Sequence, residues 1–238
     1  MKIYSNLKTR GGGRSLSSNK GFTLAEVLVT LGIIGVVSAM TVPTLMQNYQ
    51  RKSYVTQLHK VYNELSQALL QYQTDKNAIN LKEAGLNSQT AAANFIREYF
   101  NIVQDCGDER TSCFPETTEY KKLSGTTLSG WYTPRTYFVL ANGSSIGISY
   151  RPNNAEVICE VYVDINGAKG PNIAGRDLFP IFLYNNGLID DYDFKTTTTA
   201  PMTKEQRDTN YLTCANNNGG SWEGCFGKIL NDNWEMNY

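Results

Sequence analysis

The sequence has a single histidine, His59, and little charge: 18 % of its 238 residues are Asp, Glu, Lys or Arg. A zinc-binding HExxH helix needs two histidines and is excluded, and no phosphate-cradling GxxxxGK[ST] loop is present. None of the five cysteines, Cys106, Cys113, Cys159, Cys214 and Cys225, is paired with another as CxxC, which argues against a structural zinc site. His59 falls on or beside an apolar helical stripe with no cysteine or carboxylate partner near it in sequence, so it reads as structural. With no nucleophile–base pair to assign, the chain is not expected to be an enzyme.

There is also no net charge, with 22 basic against 22 acidic residues, but the balance hides an asymmetry. Residues 1–21 contain Lys2, Lys8, Arg10, Arg14 and Lys20 and no acid, so 17 basic residues remain against all 22 acids after Gly21. An acidic chain gives up counterion release as a driving force, so no nucleic-acid partner is inferred. A basic leader beside an apolar segment instead marks the end that stays cytoplasmic.

What the sequence does have is a long apolar run. Phe22 to Met46 is 25 residues with one charge, Glu26. About 20 such residues span a bilayer as a helix. One reading is a secretory signal peptide with a small-residue cut near Ser38-Ala39, which would make the chain an exported or membrane-anchored extracytoplasmic binding protein. Two features oppose it. An acid in a membrane helix costs about 2–3 kcal/mol at the centre, less near the end. The helical pattern also runs on past the cut: Val55, Leu58, Val61/Tyr62, Leu65, Ala68/Leu69 and Tyr72 recur at intervals of three and four. Read as one helix to about Asp75, the segment is ~80 Å long at 1.5 Å per residue. Pro43 either kinks this helix or ends it.

The stretch "KGFTLAEVLVTLGIIGVVSAM" resembles the processing and assembly signal of type IV pilins and type II secretion pseudopilins. The basic leader ends in Gly21, aromatic Phe22 follows, and the acid Glu26 stands four residues later. The resemblance covers about residues 18–70. Ala25 departs from it, since the family more often carries a bulky aliphatic there. It implies that a prepilin peptidase cuts between Gly21 and Phe22 on the cytoplasmic side, and that Phe22 becomes a methylated N-terminus. It also implies an inner-membrane subunit that joins identical or related subunits in a filament, with its head in the periplasm or at the cell surface. In such a bundle Glu26 would face the α-amine of a neighbour's Phe22. A buried ion pair of this kind sets register more than it adds net stability. The alternative is that Glu26 reaches the membrane interface on its own stem.

Beyond the helix the pattern predicts an α+β head. A helix capped by Ser88 runs to Phe100, with Ala92, Phe95/Ile96 and Tyr99/Phe100 on its apolar face. "CGDERTSC" reads as a polar loop. "TYFVLANGSSIGISY" from Thr136 reads as a hairpin turning at Asn142-Gly143. "EVICEVYVD" and "DLFPIFLY" follow as strands, with Pro180 demoting the last to an edge or bulged strand. Thr203 and Gln206 fit a capping box for a short helix to about Ala215, and another runs from Gly224 to Leu230. "TTTTAP" at 196–201 is a connection. The fold class is thus a long N-terminal helix, its first half transmembrane, packed against an antiparallel sheet. The divisions are a basic leader 1–21, a transmembrane or filament-core helix 22–46, an amphipathic continuation 47–76, and a head 77–238. If the head lies outside the cytoplasm, disulfides are the default, and the short-loop pairs Cys106–Cys113 and Cys214–Cys225 are the expectation, with Cys159 buried and free.

One loop of the head has candidate ligands. In "VDINGAKGPNIAGRD", Asp164, Asn166 and Asp177 are oxygen donors of the kind calcium takes, although the final Glu of an EF-hand loop is missing. Some pseudopilins hold calcium after their strands, and this loop is loosely similar. Asp, Asn, Gly and Pro also make tight turns for backbone reasons alone. Asp190, Asp191 and Asp193 read as a solvated edge. The aromatic residues Trp131, Tyr132, Tyr137, Tyr150 and Tyr162 suggest packing or contacts with protein or glycan.

Overall fold

A computed structural model describes residues 21–128, 135–193, 199–216 and 222–238. The leader residues before Gly21, Trp131 and Tyr132, the first half of "TTTTAP" and the middle of the Cys214–Cys225 loop lie outside the described residues. The chain divides into two units between Met46 and Gln47.

Helix α1, Leu24–Asp75, contributes to both units. Pro43 lies inside it and does not end it. The hydroxyls of Thr41 and Thr44 donate to the carbonyls of Val37 and Met40 (2.9 and 3.4 Å), adding side-chain bonds around the position where proline has no N–H to give. In the first unit every residue from Gly21 to Met46 is exposed.

The second unit is α+β. From Val55 onward, α1 buries Val55, Leu58, Val61, Leu65, Ala68, Leu69 and Tyr72, one stripe at helical spacing. Helix α2, Gln89–Tyr99, begins at Ser88, whose side chain accepts from the Ala91 N–H at 3.1 Å. It adds Ala92, Ala93, Phe95 and Ile96 to the core.

Six strands then form one antiparallel meander in chain order: β1 Ile102–Gly107, β2 Thr136–Leu140, β3 Ser145–Tyr150, β4 Val157–Asp164, β5 Leu178–Tyr184 and β6 Ile189–Asp190. The β2–β3 hairpin turns at Asn142-Gly143, with Gly143 at φ +89°, a conformation that only glycine adopts without strain. Pro180 sits opposite Tyr162 of β4. β6 pairs only with Phe182 and Leu183, so among the described residues no strand lies on the outer side of β5 at Pro180, and the missing N–H disrupts no second ladder there. Helices α3, Lys204–Asn216, and α4, Cys225–Asn231, close the fold. Thr203 and Gln206 make the capping box of α3.

Both faces of the sheet are covered, which alternation alone did not reveal. Phe138, Leu140, Ile146, Ile148, Val161, Val163, Phe179 and Ile181 pack with α1 and α2 in the main core. On the other face, Tyr137, Tyr162 and Leu178 meet Phe114, Tyr120, Leu128 and Trp222. This is why all eight residues of β4 and all seven of β5 are buried. The segment read as a polar loop from Cys106 in fact starts in a strand: Cys106 and Gly107 end β1. Its continuation, two short 3₁₀ turns at 110–112 and 117–119, lies over the sheet. A disulfide joins Cys106 to Cys113 across that junction, and a second joins Cys214 to Cys225 between α3 and α4. Cys159 is free and buried, and burial pushes its thiol well above the ordinary range, which keeps it unreactive.

Candidate functional site

The N-terminal stretch combines three features. Gly21, Phe22 and Thr23 precede the helix and are exposed, Phe22 by 87 %. Glu26 lies in the first turn of α1, where the helix dipole favours an anion. Its Oε2 accepts from the Thr23 N–H at 2.8 Å and from the Thr23 hydroxyl at 2.9 Å, while the Glu26 N–H donates to Thr23 Oγ1 at 3.2 Å. This is a reciprocal capping box, and Thr23 was not singled out from sequence although Thr-x-x-Glu before an apolar run signals one. Among the described residues, then, the acid is hydrogen-bonded but no cation lies within 4.0 Å of it.

The third feature is the apolar surface that follows. Every large apolar side chain from Phe22 to Met46 is at least 41 % exposed, and the most apolar window of the helix has no buried residue. A contiguous apolar surface of this extent belongs against lipid or other helices, not water.

The second candidate is the loop between β4 and β5. Asp164 and Asp177 are both buried. Asp164 accepts from the Tyr120 hydroxyl and, at 3.2 Å, from the Asn166 N–H. The Asp177 carboxylate accepts from the Asn172 and Ile173 N–H groups at 2.7 and 2.5 Å. These bonds pin the loop as a turn. Burial nevertheless pushes the Asp164 carboxyl up to about 7 and raises that of Asp177. Two amide oxygens, Asn166 Oδ1 and Asn172 Oδ1, are buried without a donor. Two carboxylates and two spare amide oxygens fit a hard cation in donor type, and a cation would relieve the burial of the carboxylates. Among the described residues, however, no group of three or more His, Cys, Asp or Glu converges as a metal set.

The expected solvated edge at Asp190-Asp191 is corrected: both side chains are buried. Arg207 grips Asp190 through Nε and Nη2 at 2.8 and 2.6 Å, a bidentate pair that makes burial tolerable. Asp191 accepts from the N–H groups of Gly227 and Tyr192, both at 2.8 Å, tying β6 to α4. Sequence offered no sign of this, because Arg207 is 17 positions from Asp190. On the outer face of the sheet, Glu160 bonds Arg135 and Arg151 at 3.0 and 2.8 Å, and Arg135 stacks over Tyr162. His59 stacks on Trp234 with ring centres 4.0 Å apart, a packing role.

One expectation is corrected: a GxSxG pattern, expected to be absent, is present in the sequence. Gly143-Ser144-Ser145-Ile146-Gly147 has the letters of the GxSxG nucleophile elbow. Here it lies on a β-hairpin, not a strand-to-helix turn, and the Ser145 hydroxyl donates to the Cys113 carbonyl at 2.6 Å. His59, the chain's one histidine, is committed to Trp234, so the serine has no imidazole base.

Known proteins resemble this chain over its N-terminal stretch. Residues 16–42 match the family model described as the prokaryotic N-terminal methylation motif. The type II secretion system core protein G of Pectobacterium carotovorum subsp. carotovorum is 30 % identical over 112 residues, 47 % of this chain and 71 % of that protein. Prepilin peptidase-dependent protein D of Escherichia coli (strain K12) is 32 % identical over 81 residues, 34 % of this chain and 50 % of that protein. No solved structure matches.

Proposed function

Because the chain belongs to the family of type IV pilins and type II secretion pseudopilins, we propose that it acts as a structural filament subunit through the following steps. A prepilin peptidase cuts between Gly21 and Phe22, and Phe22 becomes the methylated N-terminus. Residues 22–46 anchor the subunit in the inner membrane and later form the filament core; 47–76 continue that helix under the head, and 77–238 are the head, held outside the cytoplasm. The partners are the peptidase, the membrane, and identical or related subunits.

The observation that carries this reading is the exposed apolar surface of α1 from Phe22 to Met46, headed by a capped acid. Lipid is as apolar as these side chains, so moving the helix from membrane to bundle gains little from water exclusion. Packing and charge pairing must supply the difference. The α-amine of a neighbour's Phe22 is the partner for Glu26, and Thr23 holds the carboxylate at the helix start until that amine arrives. One step of stagger leaves both charges unmatched in a low dielectric, which fixes the register. Glu26→Ala is expected to insert and be cleaved normally but to give few or no filaments by electron microscopy. Filaments in normal number from that variant would reject the register role.

A second reading concerns Asp164, Asn166 and Asp177 as calcium ligands; the two donorless amide oxygens favour it. Calcium would neutralise the two buried carboxylates and stiffen the approach to β5. Under this reading, millimolar calcium raises the melting temperature of the parent and not of Asp164→Ala. A parent indifferent to both calcium and chelator leaves the loop as a turn and nothing more.

A further inference from the structure

We propose that the groove between Arg51 and Arg176 is a docking site for the phosphates of anionic phospholipids in the extracytoplasmic leaflet, occupied while the subunit waits in the membrane. This rests on the reading in which residues 22–46 span that membrane.

From Gln47 to Asn63, α1 contains Arg51, Lys52, His59 and Lys60 and no acid; Glu64 is the first. Several arginines and a lysine elsewhere in the head are paired: Arg97 with Asp105, Arg151 with Glu160, Arg207 with Asp190 and Lys228 with Asp232. Among the described residues no carboxylate lies within 4.0 Å of Arg51, Lys52 or Arg176. Arg176 comes from the loop before β5, far from Arg51 in sequence, yet the two line one groove together with Tyr54, Gly170 and Pro171. The Arg176 Nε is buried without an acceptor, an uncommon state for a guanidinium. Asp177, its chain neighbour, gives its carboxylate to the N–H groups of Asn172 and Ile173. A second groove that also includes Arg51 is lined by Glu235, whereas no acid is among the lining residues of the groove with Arg176, which is therefore the better anion site.

The depth points to lipid. Arg51 stands only five residues past Met46, where the apolar run ends, and the headgroup layer begins where the hydrocarbon ends and is roughly 5–7.5 Å deep on each side. Tyr49, 73 % exposed, and Tyr54 flank the cations with the ring type that favours this layer. A planar guanidinium pairs with phosphate through two N–H bonds, and here two are presented together.

The test uses the full chain in nanodiscs of phosphatidylglycerol and phosphatidylcholine, with membrane insertion checked by resistance to carbonate extraction. Native mass spectrometry then counts the lipids retained. The proposal expects phosphatidylglycerol several-fold above its share of the disc, falling to that share in Arg51→Gln/Arg176→Gln and unchanged in Lys60→Gln, which removes an exposed charge elsewhere on the helix. An inserted chain with phosphatidylglycerol at its bulk share, or enrichment that survives the double variant, overturns the proposal and leaves the filament reading intact. Release of the lipid by millimolar inorganic phosphate reassigns the groove to the free anion. Lipid at its bulk share with a dimer that the double variant dissolves reassigns it to a second copy; either result overturns the lipid assignment. A chain that fails to insert overturns both the proposal and the reading beneath it.

Discussion

Glu26 and Asp191 are both carboxylates in apolar settings, and the fold treats them differently. Glu26 sits at an exposed helix start, where Thr23 satisfies it locally and leaves it available for an outside cation. Asp191 is fully enclosed and spends its oxygens on two backbone N–H groups. Burial, with Asp190 and Glu223 adding like charge, pushes its carboxyl up from 3.8 to about 7; the bonds to Gly227 and Tyr192 only partly offset this. The folded protein therefore keeps this proton where the unfolded chain has released it. Its contribution favours the native state at about pH 4 and is lost as the pH rises through about 7. Melting temperatures measured from pH 4 to 8 should show this fall in the parent and a flatter profile in Asp191→Asn. Parallel profiles for the two proteins would contradict the assignment.

At the scale of elements, the helices depend on caps and stripes, and the sheet depends on what covers it. The β4–β5 loop approaches the α3–α4 disulfide closely. A Cβ on Gly175 would stand 2.7 Å from Cys225 Sγ and 3.0 Å from Cys214 Sγ, and its φ of +86° also suits only glycine. Gly175→Ala should lower stability by about 2–3 kcal/mol in urea denaturation, from strain and overpacking together. A variant as stable as the parent would mean that the loop yields easily. The helices and the middle strands were legible in the sequence because their periods of 3.6 and 2 are local: the stripe from Val55 to Tyr72, the Asn142-Gly143 turn and the box of Thr203 with Gln206 all lie within a few residues. β1 and β6 were not, since one reads Ile-Val-Gln-Asp-Cys-Gly without alternation and the other has only two residues. The covering of the outer sheet face was hidden for a different reason. It brings Phe114, Tyr120 and Trp222 to Tyr162 from distant parts of the chain, and no window of sequence contains that pairing. The burial of Asp190 by Arg207 and the meeting of Arg51 with Arg176 escaped the sequence in the same way.

At the scale of the molecule, the chain joins an apolar helix that finds no partners within its own unit to a head whose own core is complete. The head packs both faces of its sheet and closes two disulfides, so it needs no second copy to bury its strands. The helix is the opposite case: from Phe22 to Met46 it buries nothing. In the proposed reading, lipid and then neighbouring subunits hold this helix, and a cut after Gly21 would create the α-amine that pairs with Glu26. Everything in this account depends on where the mature chain begins. Mass spectrometry of the N-terminal peptide from the exported protein decides it: the account predicts a methylated Phe22 as the first residue, and a mature chain starting near Met40, as a secretory signal peptide would leave, would contradict it.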